Sequence, residues 1–417
     1  QRSMRKKVWI WNHYATSTYF DQGGRHYNFA KFLAEAGYEP VIFCATTIHN
    51  SSRQVDTGGT LWTEKTDSVS PYVFVKARPY AGNGKQRVLN MVDFYRGVKK
   101  AALEYAKVHG KTDIIYASSV HPLTLVAGIQ IARHFGVKCI CEVRDLWPEG
   151  IVAQSARLTK NNPLIRMLYR GERWIYEKAD AMIFTMEGGY DYIREQGWDR
   201  TIPQETVFHI NNGVDLTVFD ENRVNFPFED VDLQQKDVFC VVYAGSIRRV
   251  NNLGLVVETA KQLTDTKIRF LIWGDGDERQ MLEQRVRDEG IPNVVFKGRV
   301  EKKYIPSIVS QADLNLVHWE HFDLLRFGAS YNKLFEYLAA GKPIFCTVQP
   351  GYSIVEGNNC GSDTRGLTPK DFASGIRRIY EMTEQERTAM GENARKAAQQ
   401  YDFRILTNKL IEIIERV

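Results

Sequence analysis

Short apolar runs alternate with amphipathic stretches along most of the chain. KVWIWNH, PVIFCA and VKCICEV have the length and composition of buried strands, whereas RHYNFAKFLAEA and LTLVAGIQIARHF repeat apolar residues at helical spacing. Strands that alternate with helices of this length are typical of parallel sheets joined by crossover helices. The pattern therefore predicts a doubly wound α/β domain in the first half of the chain.

The alternation stops near residue 213 and then starts again. The segment DLTVFDENRVNFPFEDVDLQQKD is polar and acidic, and it is predicted to be a linker or surface loop. Strand-like runs resume at DVFCVVYAG, and FRILTNKLIEIIERV near the end has the pattern of an amphipathic helix. The sequence thus predicts two Rossmann-like domains facing each other across a cleft, at residues 4–212 and 213–402, with a terminal helix at 403–417.

Composition narrows the class of protein. Of the 417 residues 43% are hydrophobic, which suffices for two large cores and excludes a disordered chain. No apolar run approaches the ~18 residues that a membrane span needs, and MRKKVWIWNHY lacks the pattern of a signal peptide. Gln1–Ser3 resemble the remnant of an expression tag and do not enter the fold prediction.

Six cysteines in so long a chain do not indicate a disulfide framework. Cys139 and Cys141 alternate along one strand and should share a face, but no second pair accompanies them to complete a metal site. We expect six reduced thiols in a cytoplasmic protein that binds no metal and no other cofactor.

Positive charge is concentrated in the first half, where residues 1–200 hold 28 Lys/Arg and 19 Asp/Glu. Residues 76–111 hold nine basic and two acidic side chains, interleaved with apolar residues such as Val88 and Met91. Such a stretch suits peripheral binding to anionic lipid at the inner face of a membrane, or it is an ordinary solvated helix; both interpretations stay open. Nucleic acid is not an expected partner, because no binding motif accompanies the charge.

Candidate chemistry lies where predicted strands end and helices begin, the edge at which open parallel sheets bind ligands. DQGG places Gly23 and Gly24 before a helix, where backbone amides bind an anion or form a plain tight turn. EVRDLWPEG places Arg144 and Asp145 just past a strand, as a functional pair or a local ion pair. YAGSIRRVNNLG places Gly245 at a strand end and Arg248 before a helix, which suits a diphosphate.

SYNKLFEYLAAGKPIFC is predicted to form a helix that Ser330 caps and Gly341 closes. Lys333 and Glu336 lie one turn apart on it. As a surface ion pair they would stabilise the helix by only about 0.2–0.5 kcal/mol. The alternative is that Glu336 accepts the two hydroxyls of a ribose while Lys333 contacts phosphates.

Five motifs occur in a characteristic order: NNGVD, YAGS, WGDGDER, KGRV and NKLFEYLAAGKPI. In this order and spacing the chain resembles the family-four glycosyltransferases, which have the GT-B fold. EVRDLWPE makes it similar to a bacterial subgroup that synthesises surface polysaccharides. The resemblance covers essentially the whole chain.

The resemblance implies roles for individual residues. It places Glu336 on the nucleotide ribose, Lys333 near the diphosphate, and Arg248 in the loop that supplies a basic phosphate contact. It makes Arg299 and Val300 candidates for the nucleobase contact. It also assigns Ser330, Gly245 and the glycine loop at Gly23 and Gly24 to donor binding.

The chain also departs from the family pattern. Gly328 stands where the family often has a glutamate near the donor sugar, and Glu320 lies upstream out of register. Asn251 and Asn252 stand near the position of a usual lysine. Arg144, followed by Asp145, replaces a common histidine.

The implied activity is retaining transfer of a sugar, an N-acetylhexosamine among the possibilities, from a UDP-sugar to a lipid-linked saccharide. Arg144, Asp145, Arg248 and Lys333 are the candidate catalytic residues. Because cations can stabilise the leaving diphosphate, the reaction is expected to need no metal ion. The alternatives are a nucleotide-sugar 2-epimerase, which shares the fold, and a non-catalytic nucleotide-sugar-binding protein.

Overall fold

The computed structural model describes residues 6–49 and 51–417, so the predicted start at Met4 and the tag-like residues lie outside the described part of the chain. The chain divides into two compact units. The first runs to Asn211 and includes Leu406–Val417, and the second is Asn212–Ile405. The boundaries predicted from the sequence were 212 and 402.

The first unit is built on an eight-stranded sheet with the order β3-β4-β2-β1-β5-β6-β7-β8. Neighbouring strands are parallel except β3, which pairs antiparallel with β4 at the edge. The strands are β1 Lys7–Asn12, β2 Glu39–Ala45, β3 Trp62–Lys65, β4 Tyr72–Val75, β5 Ile114–Ser118, β6 Lys138–Val143, β7 Ala181–Phe184 and β8 Val207–His209. The sequence pattern did not identify β3 and β4, because each has only four residues.

Helices join these strands. They are α1 Thr16–Asp21, α2 Arg25–Glu35, α3 Lys85–His109, α4 Leu123–Phe135, α5 Glu149–Gln154, α6 Pro163–Lys178 and α7 Gly189–Glu195. The helix α1 occupies part of the predicted loop between β1 and the paired glycines. The helix α3 contacts α4, and α4 contacts α6, so these three lie side by side in one layer.

The second unit is built on a six-stranded parallel sheet with the order β11-β10-β9-β12-β13-β14. Its strands are β9 Phe239–Ala244, β10 Ile268–Trp273, β11 Val294–Gly298, β12 Leu314–Val317, β13 Ile344–Cys346 and β14 Gly361–Asp363. Its helices are α8 Leu216–Asn225, α9 Gly254–Lys261, α10 Arg279–Asp288, α11 Ile305–Ser310, α12 Asn332–Ala340, α13 Ile354–Gly357, α14 Pro369–Tyr380 and α15 Glu384–Ala398. Two Rossmann-like parallel-sheet units are therefore confirmed.

The prediction of a linker after residue 214 was wrong for its first half, which forms α8. The Asp215 carboxylate caps this helix by accepting a hydrogen bond from the backbone N–H of Val218 at 3.2 Å. Leu216 and Phe219, three positions apart, bury against the core of the second unit. The polar composition of the segment concealed a helix that has only two strongly buried apolar positions.

The cysteines follow the sequence prediction. All six are free and buried, and the Sγ atoms of Cys139 and Cys141 lie 3.9 Å apart on one face of β6. Within the described residues, no helix combines the length and the hydrophobicity needed to cross a bilayer.

The terminal helix α16, Phe403–Arg416, packs most of its length in the first unit. Leu406, Leu410, Ile413 and Ile414 are buried on one side of it. Lys6 donates a hydrogen bond to the carbonyl of Ile414 at 3.4 Å, and the Tyr38 hydroxyl donates one to Glu415 at 2.5 Å. The last residues of the chain therefore complete the core of the unit that begins it.

The buried side of α16 should contribute strongly to the stability of the first unit. Leu410→Ala is expected to lower the free energy of unfolding by about 2–5 kcal/mol, because Leu410 is completely buried and its removal leaves a cavity. Ile405→Ala, at a side chain that is 43% exposed, is the matched control. Urea unfolding would contradict the account if the two variants were equally stable.

Candidate functional site

Each sheet reverses its direction of strand addition at one central strand. In the first unit β1 lies between β2 and β5, and in the second β9 lies between β10 and β12. Loops that leave such a pair of strands diverge at their carboxyl ends and open a crevice, which is where doubly wound folds bind ligands. The predicted site residues fall at these two edges.

Three glycines allow the strand ends of the second unit to approach closely. The Gly245 amide donates to the carbonyl of Trp273, and the Gly274 amide donates to that of Gly298 at 2.9 Å. A Cβ atom on Gly274 would lie 1.7 Å from the Gly245 carbonyl oxygen, and its φ of +136° also requires glycine. Gly245, predicted as a donor contact, therefore also has a packing role at the edge where β9 and β10 end.

The loop after β9 holds Arg248 through its backbone. The Asn251 side-chain oxygen accepts hydrogen bonds from the Ser246 hydroxyl at 2.8 Å and from the Arg248 amide at 3.2 Å. The buried Asn251 side chain therefore fixes the backbone of the loop. The Arg248 side chain takes no part in these bonds and is exposed. The residue near the position of the family lysine thus has a structural role here.

The neighbouring Asn252 links this loop to the one that follows β12. Its side-chain amide donates to Glu320 at 2.5 Å, and its carbonyl accepts from Nε2 of the buried His318 at 3.0 Å. Burial lowers the pKa of His318 and keeps it neutral, with Nδ1 accepting from the Thr347 hydroxyl. Glu320 therefore lies beside the loop that carries Arg248, although in the sequence it does not align with the family glutamate position, which Gly328 occupies.

The helix α12 carries Lys333 and Glu336 as predicted, and Gly341 ends it in the left-handed conformation. The Lys333 ammonium donates to the Glu336 carboxylate at 3.1 Å, and their side chains are 38% and 33% exposed. The two charges pair with each other, and both side chains are accessible to a ligand.

Ser330 does not cap this helix, and that prediction was wrong. Tyr331 occupies the N-cap position without a side-chain cap, whereas the Ser330 hydroxyl accepts a hydrogen bond from the Asn212 amide at 3.1 Å. The Ser330 carbonyl accepts a second one from the Asn212 side chain. Ser330 therefore fixes the first residue of the second unit.

Arg299 and Val300 follow β11 at the same edge. Val300 is half-buried against the core of the second unit, and Arg299 is exposed. In the described part of the chain, the guanidinium groups of Arg248, Arg249 and Arg299 have no hydrogen-bonded or ionic partner. The ends of β9 and β11 thus present three unpaired cations.

In the first unit, the glycine loop leads directly into α2. Gly24 is the N-cap residue, with φ +104°, and a Cβ there would lie 3.0 Å from the Thr18 methyl group. Its carbonyl accepts from the backbone and side-chain N–H groups of Asn28. A Cβ atom on Gly23, one residue earlier, would make only an ordinary contact, with the Asp21 carbonyl oxygen at 3.9 Å, so of the two glycines the backbone requires Gly24.

The residue after this loop, Arg25, is buried and forms a bidentate ion pair with Glu142 of β6. Its Nη2 lies 2.8 Å and its Nε 3.1 Å from the two carboxylate oxygens. The same guanidinium donates to the carbonyls of Ile210 and Asn211 at 2.8 and 2.6 Å. Arg25 therefore joins the glycine loop, the sheet and the end of the first unit.

Glu142 accepts further hydrogen bonds from three directions. His26 Nε2 lies 2.9 Å and the Ser118 hydroxyl 2.9 Å from Oε1, and the Tyr116 hydroxyl bonds Oε2. The Asn12 amide bonds the other ring nitrogen of His26 at 2.8 Å. Burial would raise the pKa of Glu142, but Arg25 and His26 hold it well below its ordinary value, so the carboxylate is ionised.

Sequence reasoning missed Glu142, although it lies within the motif EVRDLWPE. An acidic residue inside a strand that is otherwise apolar indicates a buried charge with a dedicated partner. Arg25 sits 117 residues away in sequence, and nothing in the spacing identifies it as that partner.

Arg144 follows β6 at the candidate edge, as predicted, but does not pair with Asp145. Its Nε donates to the carbonyl of Ser119 at 2.5 Å, and Nη2 donates to Asn12 Oδ1 at 2.9 Å. The Asp145 side chain is exposed to solvent. The guanidinium is therefore anchored at the ends of β1 and β5, and the neighbouring carboxylate is free to meet a ligand.

A histidine pair that the sequence analysis did not select lies at the same edge. His13 follows β1 directly and His121 lies three residues after β5, and their Nδ1 and Nε2 atoms are 2.8 Å apart in two buried rings. Burial lowers the pKa of His121 to about 3 and that of His13 well below its ordinary value, so both are neutral. His121 Nδ1 is buried without a hydrogen-bond partner among the described residues. The available signal was their position in the loops that follow two strands.

Residues 6–49 and 51–417 contain no group of three or more His, Cys, Asp or Glu side chains arranged to hold a metal ion.

Two family models match this chain. The model of Glycosyltransferase Family 4 matches residues 25–218, and that of Glycosyl transferases group 1 matches residues 227–397. Each model corresponds to most of one unit, and together they include all the predicted site residues except Gly23 and Gly24.

Known proteins resemble the chain along most of its length. A Bacillus subtilis (strain 168) protein, described as the teichuronic acid biosynthesis glycosyltransferase TuaH, is 23% identical over 287 residues, 66% of each chain. Sucrose-phosphate synthase from Thermosynechococcus elongatus has a TM-score of 0.74 at 17% identity, with 99% of both chains covered. Anabaena Alr3699/HepE, solved in complex with UDP, has a TM-score of 0.69 at 14% identity, with 99% of this chain and all of that one covered.

The ion pair between Arg25 and Glu142 should dominate the stability of the first unit. Arg25→Met is expected to lower the free energy of unfolding by about 3–5 kcal/mol, because it leaves a buried carboxylate without its cation. Adding Glu142→Gln should restore part of that loss. The control is Arg96→Met, at an exposed arginine, which should change stability by less than about 0.5 kcal/mol. A loss no larger for Arg25→Met than for the control would contradict this assignment.

The neutral His26 should make the first unit sensitive to acid. Burial lowers its pKa from 6.5 to about 4, so the unfolded chain binds a proton before the folded one does as the pH falls. Its stabilising effect is complete above about pH 6.5 and is lost towards pH 4. When the pH falls from about 7 to about 5, the free energy of unfolding of the wild type should decrease by about 2 kcal/mol more than that of His26→Gln. Urea unfolding at both pH values measures this difference, and an equal decrease for the two proteins would refute the interpretation.

Proposed function

The chain belongs to the glycosyltransferases with the GT-B fold, of the family-four type, and we propose that it transfers a sugar from a UDP-sugar to a lipid-linked saccharide with retention of configuration. The acceptor would be an intermediate of a bacterial surface polysaccharide. The relative of teichuronic acid biosynthesis supports the pathway class, and the solved relative in complex with UDP supports the nucleotide. The sugar would be a hexose, with an N-acetylhexosamine as one candidate.

The observation that carries this proposal is the charge arrangement at the carboxyl edge of the second sheet. Among residues 6–49 and 51–417, Arg248 and Arg299 are unpaired cations after β9 and β11, and Lys333 and Glu336 pair only with each other. An ion pair this exposed stabilises little by itself, so exchange of its partners for those of a ligand costs little. Glu336 would bind the ribose hydroxyls, and Lys333 and Arg248 would bind the diphosphate.

The chemistry requires that negative charge on the leaving diphosphate be stabilised while the sugar becomes electron-deficient. Cations fixed before the reaction do this without reorganisation in the transition state. Arg248 and Lys333 would supply this positive charge in the second unit once the donor is bound. In the retaining reaction proposed here, the acceptor attacks from the face that the diphosphate leaves, and a phosphate oxygen takes the acceptor proton.

The edge of the first sheet would bind the sugar and the acceptor. Arg144 is anchored by two strand ends and presents a cation there, with Asp145 exposed beside it. His121 adds a buried neutral ring with one ring nitrogen unpartnered, which suits a hydroxyl group. These residues offer the hydrogen-bonding groups that a saccharide requires.

The reaction should proceed without a divalent metal, since basic side chains are available for the diphosphate. The test incubates the purified protein with radiolabelled UDP-sugars and a membrane extract, with and without EDTA. Label transferred to lipid under both conditions is the expected result. Release of an epimerised free sugar, or donor binding without turnover, would overturn the proposed transfer, and loss of transfer in EDTA would overturn metal independence.

Glu336→Ala should weaken donor binding by about 2–4 kcal/mol, because it removes a hydrogen-bonded charged contact with the ribose. Calorimetric titration with the UDP-sugar measures this directly.

The matched control is Glu289→Ala, which removes another carboxylate of the second unit that is paired with cations, Lys261 and Arg285. Its donor affinity should equal that of the wild type. Equal donor affinity of Glu336→Ala and the control would count against the ribose assignment.

A further inference from the structure

The helix α6 carries an apolar strip that the described part of the chain leaves largely exposed. Leu164 and Met167, three positions apart, are 56% and 59% exposed. Trp174 lies two turns beyond Met167 on the same side and is half-buried, with the Arg133 guanidinium 5.7 Å from its ring. The side of the helix opposite Met167 and Trp174, which includes Ile165 and Tyr176, is buried. Single exposed apolar residues are common, but a strip along one helix is not.

Unpaired cations border this strip. Arg166 and Arg170 lie one turn apart on the adjoining side, and Arg157 precedes the helix. For the described residues, no hydrogen bond or ion pair involves any of these three guanidinium groups. A helix whose exposed side combines apolar residues with flanking arginines has the pattern of a helix that lies in the interface of an anionic membrane.

Acidic side chains near the strip do not offset this charge. Glu172 is buried and accepts hydrogen bonds from the hydroxyls of Tyr176 and Tyr192 at 3.1 and 2.6 Å. Glu177 is held by Arg173 at 2.6 Å. The surface therefore presents cations beside apolar side chains. Its positive charge is complementary to the negative charge of an anionic leaflet.

The helix α3, for which the sequence left membrane binding and an ordinary solvated helix open, is less suitable. Of its apolar residues Phe94 and Val98 are completely buried, and the two exposed ones, Val88 and Val108, lie at opposite ends of the helix, 20 residues apart. Lys99 donates to Gln130 at 3.1 Å and lies over the Tyr95 ring at 4.1 Å. The apolar side of α3 is largely used by the protein core.

We infer that the exposed face of α6, formed by Leu164, Met167, Arg166 and Arg170, docks the protein on the anionic surface of a lipid bilayer. This inference rests on the proposed function, since a lipid-linked acceptor is presented at such a surface. The helix would lie in the plane of the interface, with its leucine and methionine inserted among the acyl chains and its arginines at the headgroups.

The test is sedimentation of the full chain with vesicles of phosphatidylcholine and phosphatidylglycerol in equal parts, and with vesicles of phosphatidylcholine alone. The wild type should bind the anionic vesicles and release them as salt rises. Arg166→Glu with Arg170→Glu should lower binding at least about twentyfold, because each arginine near an anionic leaflet contributes about fivefold. Leu164→Ser with Met167→Ser should lower binding by at least about tenfold.

Two variants serve as matched controls. Met281→Ser with Arg378→Glu changes an equally exposed methionine and an exposed arginine of the second unit, and it should bind vesicles like the wild type. A variant with Arg96, Lys99 and Lys100 changed to Glu tests α3 and should keep most of the binding. Loss of binding in the α3 variant with retention in both α6 variants would overturn the inference.

Calorimetric titration with the UDP-sugar separates this inference from the proposed function. The α6 variants should bind the donor like the wild type, which shows that they are folded. A wild type that binds the donor and no anionic vesicle would overturn the docking surface alone. A wild type that binds anionic vesicles through α6 and no nucleotide sugar would support the surface and overturn the proposed donor.

Discussion

A single buried carboxylate organises the ligand-binding edge of the first unit. Glu142 is completely buried in β6 and is ionised because Arg25 and His26 donate to it. Through these contacts it fixes the start of α2, where Gly24 forms the glycine loop, and through Arg25 it holds the last residues of the unit. A buried charge is costly unless it is fully paired, so all these elements must be in place together.

The pairing of Glu142 also positions the polar side chains that a ligand could contact at this edge. Asn12 bonds His26 with its amide nitrogen and Arg144 with its oxygen, so the network around Glu142 extends directly to the candidate catalytic arginine. In the second unit, glycines and one asparagine organise the carboxyl ends of the strands. There, Gly245, Gly274 and Gly298 bring the strand ends together, and Asn251 shapes the loop so that Arg248 remains free.

The sequence predicted features that depend on local periodicity and spacing. Strands and helices of ordinary length were identifiable because their apolar positions repeat, and Lys333 and Glu336 lie on the predicted helix with Gly341 at its end. Features that depend on distant partners were not identifiable. Ser330 reads as a helix cap in sequence, but it bonds Asn212, and the carboxylate at position 142 gave no indication that it pairs with Arg25. The helix α8 was missed because only two of its residues are strongly buried.

We propose that the unpaired cations and the exchangeable ion pair of the second unit hold the diphosphate and ribose of a nucleotide sugar. A crystal structure of the protein with UDP bound is the decisive experiment. We expect the Glu336 carboxylate oxygens to lie within about 3.2 Å of the ribose hydroxyls, with Lys333 released to the diphosphate beside Arg248. UDP bound elsewhere, with the 3.1 Å contact between Lys333 and Glu336 unchanged, would refute this assignment.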